Sequence, residues 1–218
     1  MTREVAIVAL DGYADSALAV LLDVIRASAA IATRAGKVPP LRATIVSPSG
    51  ARVQSATAGT RPDVGSLRGL ARADIVAVPG IWLEDPRDLD RVLARPDIAV
   101  TAAALARAHA AGVIVAATCM SVFVLARAKL GAHRATTTWW LANELRERHP
   151  ELEVSVDDAL VVDGRIMTAG AVFAVADLAL YLVGRFGGPA LARETARVLL
   201  LDRHASQARY MAKHHLRT

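Results

Sequence analysis

Residues 112–131 read GVIVAATCMSVFVLARAKLG. Val113-Ile114-Val115-Ala116-Ala117 is a short apolar run, β-branched at its start and bounded by Gly112. That is the pattern of a buried strand. From Met120 to Leu130, Val122, Phe123, Leu125 and Ala126 recur at helical spacing, and Gly131 supplies a stop. Cys119, the sole cysteine, stands at the junction. A sharp strand-to-helix turn lifts its junction side chain out of the sheet, and the first N–H groups of the helix point at it. Such a position favours a thiolate and lowers its pKa. Cys119 is therefore read three ways: nucleophile, pocket wall or leftover.

Outward from this stretch the chain alternates strands and helices. Apolar runs at 5–10, 41–46 and 74–78 predict strands. Helices are predicted over 16–35, 86–93 and 97–111, a small hairpin over 52–60, and a loop or short helix over 62–70. Further on, 135–138 is a run of small β-formers, 139–149 a helix closed by Pro150, and 153–156, 160–162 and 166–168 short strands. Asp163-Gly164 makes the tight turn between the last two. Helices over 169–186 and 189–201 complete the order. This alternation predicts an open α/β fold: a flavodoxin-like parallel sheet sandwiched between helices. Ligands of such sheets bind beyond the carboxyl ends of the strands. Asp11 to Asp15, Pro79-Gly80, Cys119 and Thr168-Ala169-Gly170 all fall at such ends.

Composition narrows the class. The 218 residues are 54% hydrophobic but 4% aromatic, so the core is built from Ala, Val, Leu and Ile. The net charge of +5 comes largely from Arg scattered through Ala-rich helices, which reads as solvated surface. One cysteine excludes an internal disulfide and fits a reducing cytoplasm. The apolar run at the N-terminus is too short for a signal peptide, and no stretch was expected to span a membrane. His214-His215 lacks further ligands at metal-binding spacing, so neither a metal nor a cofactor is expected. Residues 1–202 are read as the folded domain and 203–218 as a basic linker or tail, because HASQARYMAKHHLRT has no apolar period.

ATCMSVFVLARAKLGAHRATTTWW resembles the nucleophile elbow of the PfpI-like branch of the class I glutamine amidotransferase-like superfamily. It is most similar to the subgroup that forms the N-terminal half of AraC-family transcriptional regulators. Leu10-Asp11-Gly12, Leu21-Leu22-Asp23-Val24, Val78-Pro79-Gly80, MTAGAVFAVADLALYL (167–182) and RHASQARY (203–210) resemble the subgroup in the same order and spacing. The resemblance implies a cytoplasmic, homodimeric sensor domain that responds to a small-molecule effector. It also implies DNA contact only through a C-terminal helix-turn-helix domain lying beyond Thr218.

The resemblance also marks what is missing. Enzymes of the superfamily assist the cysteine with a histidine after the elbow or a carboxylate from the first helix region. Here those positions carry Met120 and Ala17, and the subgroup's downstream histidine is Thr138. An acyl-transfer nucleophile needs a base and an oxyanion hole. A catalytic Cys119 would therefore rely on Asp15, whose plainer reading is a helix N-cap. Asp11 reads as a turn residue. The expected pocket comprises Asp11, Gly80, Ile81, Cys119, Met120, Thr137, Thr138, Trp139 and Gly170. Its expected ligand is a small nitrogen-containing metabolite bound without catalysis. The alternatives are a cysteine-dependent hydrolase or hydratase on a small amide or isocyanide, and a thiol-based stress sensor. Asp177, an acid in an apolar helix, needs either structural partners or a ligand cation.

Overall fold

The computed structural model describes residues 1–211. The chain runs β1 (Arg3–Val8), α1 (Asp15–Arg34), β2 (Leu41–Ser47), β3 (Gly65–Ser66) and β4 (Ile75–Val78). It continues through α2 (Leu89–Leu93), α3 (Pro96–Ala110), β5 (Ile114–Thr118), α4 (Val122–Arg127), β6 (Arg134–Thr136), α5 (Ala142–Arg148) and β7 (Glu153–Ser155). It ends with β8 (Leu160–Asp163), β9 (Ile166–Ala169), α6 (Val175–Gly187) and α7 (Pro189–Val198).

Seven strands form one sheet in the order β3-β2-β1-β4-β5-β9-β8. All neighbours are parallel except β8, which returns antiparallel beside β9 through the Asp163-Gly164 turn. The central strands β4 and β5 are buried along their whole length, which is why they are written almost wholly in Val, Ile and Ala. One face of the sheet is covered by α1, α6 and α7 around Leu21, Val24, Leu178 and Leu182. The other is covered by α2 to α5 around Ile98, Leu105, Phe123 and Leu145. Burying each such Leu, Ile, Val or Phe contributes about 1.5–3 kcal/mol. A two-stranded parallel ribbon, β6-β7, lies beside this second face.

The predicted flavodoxin-like architecture is the observed one, and most boundaries fall within two or three residues. Three local readings change. Residues 52–60 form no hairpin; they make an irregular loop pinned by single backbone pairs and by acids of the β1–α1 turn. Residues 62–70 contribute the two-residue β3 and the start of a 3-10 turn, Leu67–Arg72. The predicted 169–186 helix starts later, at Val175. The Val172–Ala174 segment is a 3-10 turn, because the chain leaving β9 is first held by other hydrogen bonds. Among the described residues α1 has the length and composition of a membrane span, but its place in the fold accounts for its apolar face. It is the amphipathic core helix between the sheet, α6 and α7, and it buries Leu18, Leu21, Val24 and Ile25.

Candidate functional site: the elbow and the cavity beside it

β1 is flanked by β2 and β4, which the chain visits in opposite directions, so β1 and β4 border a topological switch point. The turns beyond them are tied together. Ala14 N–H donates to Gly80 O at 2.8 Å and Trp82 N–H to Gly12 O at 2.9 Å. β5 then delivers Cys119, which adopts φ 53°. A positive φ is costly for a non-glycine residue. It is the strand-to-helix elbow expected from the sequence.

The surroundings over-determine that geometry. Cys119 N–H donates to Gly170 O at 2.9 Å, and Thr137 Oγ1 donates to Cys119 O at 2.8 Å. Thr118 Oγ1 accepts from Gly80 N–H at 3.0 Å, and Ser121 Oγ donates to Pro79 O at 2.7 Å. A Cβ on Gly80 would lie 2.8 Å from the Cys119 Cβ, so only glycine fits there. The structure thus brings together Cys119, Gly80, Thr137, Thr138 and Gly170, with Met120 contributing its backbone N–H. Ile81 is buried against Gly12 and bridges to Tyr13, behind the same turn.

The thiol differs from the sequence expectation. Cys119 is 8% exposed. Burial pushes its pKa up to about 11, against the smaller opposing pull of the Met120 N–H and the Thr138 hydroxyl. Desolvation outweighs the partial charge of a helix end, because that charge is about half a unit and α4 is short. Thr138 Oγ1 is wholly buried without a hydrogen-bond partner of regular geometry, so its approach to the sulfur is a weak contact.

Asp15 is engaged elsewhere. Its Oδ2 accepts from Thr57 N–H at 3.1 Å and Ala58 N–H at 3.2 Å, and its Oδ1 accepts from Thr60 Oγ1 at 3.1 Å. These bonds and Ser55 hold its carboxyl below the usual range although partial burial opposes them. It is the first residue of α1 and not its N-cap; that position is Ala14. Asp11 Oδ1 accepts from Gln54 N–H at 3.0 Å. Both acids therefore fasten the 52–60 loop. His133 is exposed in its loop, its N–H bound to Asp163 Oδ2 at 2.6 Å.

A second feature lies on the other side of Thr136-Thr137. A cavity of about 380 Å³ with largely apolar walls is lined by Trp139, Phe173, Asp177, His204, Gln207 and Tyr210, among others. Asp177 is 2% exposed. Its Oδ1 accepts from His204 N–H at 2.7 Å, and its Oδ2 lies 3.3 Å from His204 Nδ1. Burial raises its pKa, and the His204 contacts counter only part of that. Gln207, within the segment read as a tail, is 4% exposed. Its Nε2 donates to Val156 O at 2.8 Å and Thr137 O at 3.0 Å, and its Oε1 accepts from Ala171 N–H at 3.3 Å. A Cβ on Gly170 would meet Gln207 Oε1 at 2.5 Å, so Gly170 is the floor on which the amide rests.

Trp139, expected in a pocket beside Cys119, lines this separate cavity together with Asp177, which the sequence singles out, and with His204, Gln207, Phe173 and Tyr210, which it does not. A lone buried amide leaves no periodic trace in a polar segment. The signal in the sequence was the resemblance of RHASQARY to the regulator subgroup. His214-His215 lies outside the described residues. Among the described residues no group of three or more His, Cys, Asp or Glu side chains is placed to hold a metal ion.

Solved structures share this fold. An AraC family transcriptional regulator from Pseudomonas putida aligns with TM-score 0.71 and 19% identity, over 90% of this chain and 99% of that one. Drosophila melanogaster DJ-1beta aligns with TM-score 0.71 and 18% identity, over 93% and 100%. A ThiJ/PfpI family protein from Pseudomonas syringae aligns with TM-score 0.71 and 18% identity, over 94% and 77%. At such identities the likeness concerns the fold. A search of curated protein sequences returns no significant match. The family model of DJ-1/PfpI matches residues 3–185, which span the sheet, the elbow and nearly all of α6; the chain belongs to the DJ-1/PfpI family.

Proposed function

We propose that the chain is the ligand-sensing domain of an AraC-family transcriptional regulator, binding a small nitrogen-containing metabolite near the Cys119 elbow without turning it over. In this reading it acts as a cytoplasmic homodimer, and DNA contact belongs to a helix-turn-helix domain outside these 218 residues. The observation that carries the reading is the state of Cys119: an elbow thiol that is buried, with its pKa pushed up to about 11, and on which, among the described residues, the Met120 N–H and the Thr138 hydroxyl act but no carboxylate or imidazole. A thiol nucleophile reacts as thiolate and needs a base or a depressed pKa. Asp15, the acid nearest to residue 17 where the superfamily's carboxylate would stand, is spent on the 55–60 loop. The regulator part is supported by the sequence resemblance and by the Pseudomonas putida regulator among the fold's likenesses.

The strained φ of Cys119 and the Met120 N–H near its sulfur favour the alternative, a cysteine hydrolase or hydratase on a small amide or isocyanide. One experiment separates the two. Amino acids and quaternary amines are screened by thermal shift, and each hit is followed for consumption. A sensor gives a saturable stabilisation of roughly 2.7 kcal/mol at a hundred times Kd, retained in Cys119→Ala, with no product. A compound consumed by the wild type and spared by Cys119→Ala overturns the sensing reading.

A further inference from the structure

The cavity under residues 204–210 has the attributes of a ligand site that the elbow lacks. Its volume of about 380 Å³ suits a small organic molecule. Three aromatic side chains, Trp139, Phe173 and Tyr210, contribute to the walls together with Ala159, Ala171, Val172 and Ala174. Phe173 is 63% and Tyr210 52% exposed, an uncommon outlay of aromatic surface in a chain with few aromatics. Against these walls stands one buried acid, Asp177. A buried carboxylate needs compensation; among the described residues its hydrogen-bond partners are a backbone N–H at 2.7 Å and a ring nitrogen at 3.3 Å from His204, with Arg203 adding a weaker charge attraction.

We propose that this cavity binds a small organic cation with an apolar body, whose ammonium head takes Asp177 from His204 while its body packs on Trp139, Phe173 and Tyr210. An alkylammonium brings a full positive charge and several donors to the acid, where the segment brings one backbone N–H and one ring nitrogen. Aromatic faces favour a cation at close range. The same contact reports occupancy to the chain. Residues 204–210 are held to the domain by His204 on Asp177, by Gln207 N–H on Asp157 O at 2.7 Å, and by the Gln207 amide between Val156, Thr137 and Ala171. A ligand that removes the first of these holds loosens the stretch that leads out to the C-terminus. This rests on the sensing reading and gives it a location and a chemical class.

The test uses titration calorimetry with 2-phenylethylamine, n-hexylamine and cyclohexylmethylamine, and with 2-phenylethanol as the neutral counterpart of the first. The expected result is saturable binding of at least one amine. The alcohol should bind at least about tenfold more weakly, and Asp177→Asn should lower amine affinity by a similar factor. The bound amine should also speed hydrogen exchange at the His204 amide. Should Asp177→Asn fold poorly, Phe173→Ala at an exposed position serves in its place and should weaken the amine severalfold. Equal affinity for amine and alcohol, unchanged affinity in both variants, or no binding by any of the three amines overturns the proposal. Its failure is distinct from failure of the sensing reading. A screen hit whose affinity survives Asp177→Asn leaves sensing intact and removes this cavity from it. Turnover at Cys119 removes sensing while the amine site stands.

Discussion

The elbow and the cavity lie on either side of Thr136-Thr137 and are built on opposite principles. At the elbow most polar groups already satisfy one another, the Thr138 hydroxyl excepted. Gly80 leaves no room for a side chain beside the Cys119 Cβ, hydroxyls of Thr118, Thr137 and Ser121 stitch neighbouring turns, and Cys119 is buried. The cavity has the reverse character. Its walls are partly exposed aromatics, its acid is held by one polar segment, and that segment is fastened by a few hydrogen bonds, those of the buried Gln207 amide among them. Strain and dense packing preserve the geometry of a nucleophile, whereas looseness preserves room for a guest. The difference teaches that a position with the backbone of a nucleophile can be built as tightly as a packed core.

Substitutions that break the contrast are ranked by how rigid their surroundings are. The largest effect is expected from Gly80→Ala, because the added methyl meets Cys119 Cβ at 2.8 Å and Thr118 O at 3.4 Å, neither free to move. It should destabilise by about 1–3 kcal/mol, read as a shift in the denaturant midpoint at unchanged slope. Gln207→Ala should cost about 1–2 kcal/mol, since it leaves the Val156 and Thr137 carbonyls without their donor. Protease cleavage between 203 and 211 should rise with it, and protection equal to wild type there would show that the amide holds nothing. Gly170→Ala should cost about 1 kcal/mol, less than Gly80→Ala, because the obstructing atoms are the far end of Gln207. Most of that cost should vanish in a Gln207→Ala background, and simple additivity in the double-mutant cycle would contradict the contact. Thr138→Val should be the mildest, neutral or stabilising by up to about 1 kcal/mol, because it removes a buried hydroxyl that lacks a regular partner.

Much of the sheet was legible because its signals are local and periodic. Apolar runs marked β1, β4 and β5, the β-branched stretch 41–46 marked β2, and Asp163-Gly164 marked the β8–β9 return. The elbow was legible for the same reason, as a strand, a cysteine and a helix in sequence. Its electrostatics were not. The N-terminal dipole could be read from the residues, but the burial that raises the thiol pKa depends on Gly80, Gly170 and Thr137 arriving from other strands. The 52–60 loop misled because turn residues there suggested a hairpin, while its bonds go to Asp11 and Asp15, some forty residues away. His204 and Gln207 were the least legible: their partners Asp177, Thr137 and Val156 lie 27 to 70 residues earlier, and a polar segment shows no period when it buries only one amide.

The central claim, that the elbow of this fold is a packed element and not a catalytic nucleophile, is tested most directly by the pH dependence of Cys119 alkylation in the native protein. As the sole cysteine it can be followed by intact mass. With a pKa near 11, thiolate at pH 7 should be roughly 300-fold scarcer than in a free cysteine. The rate should therefore be slow at neutral pH and climb without a plateau to pH 10. A plateau reached below about pH 8, reporting a thiolate already formed at neutral pH, would contradict it.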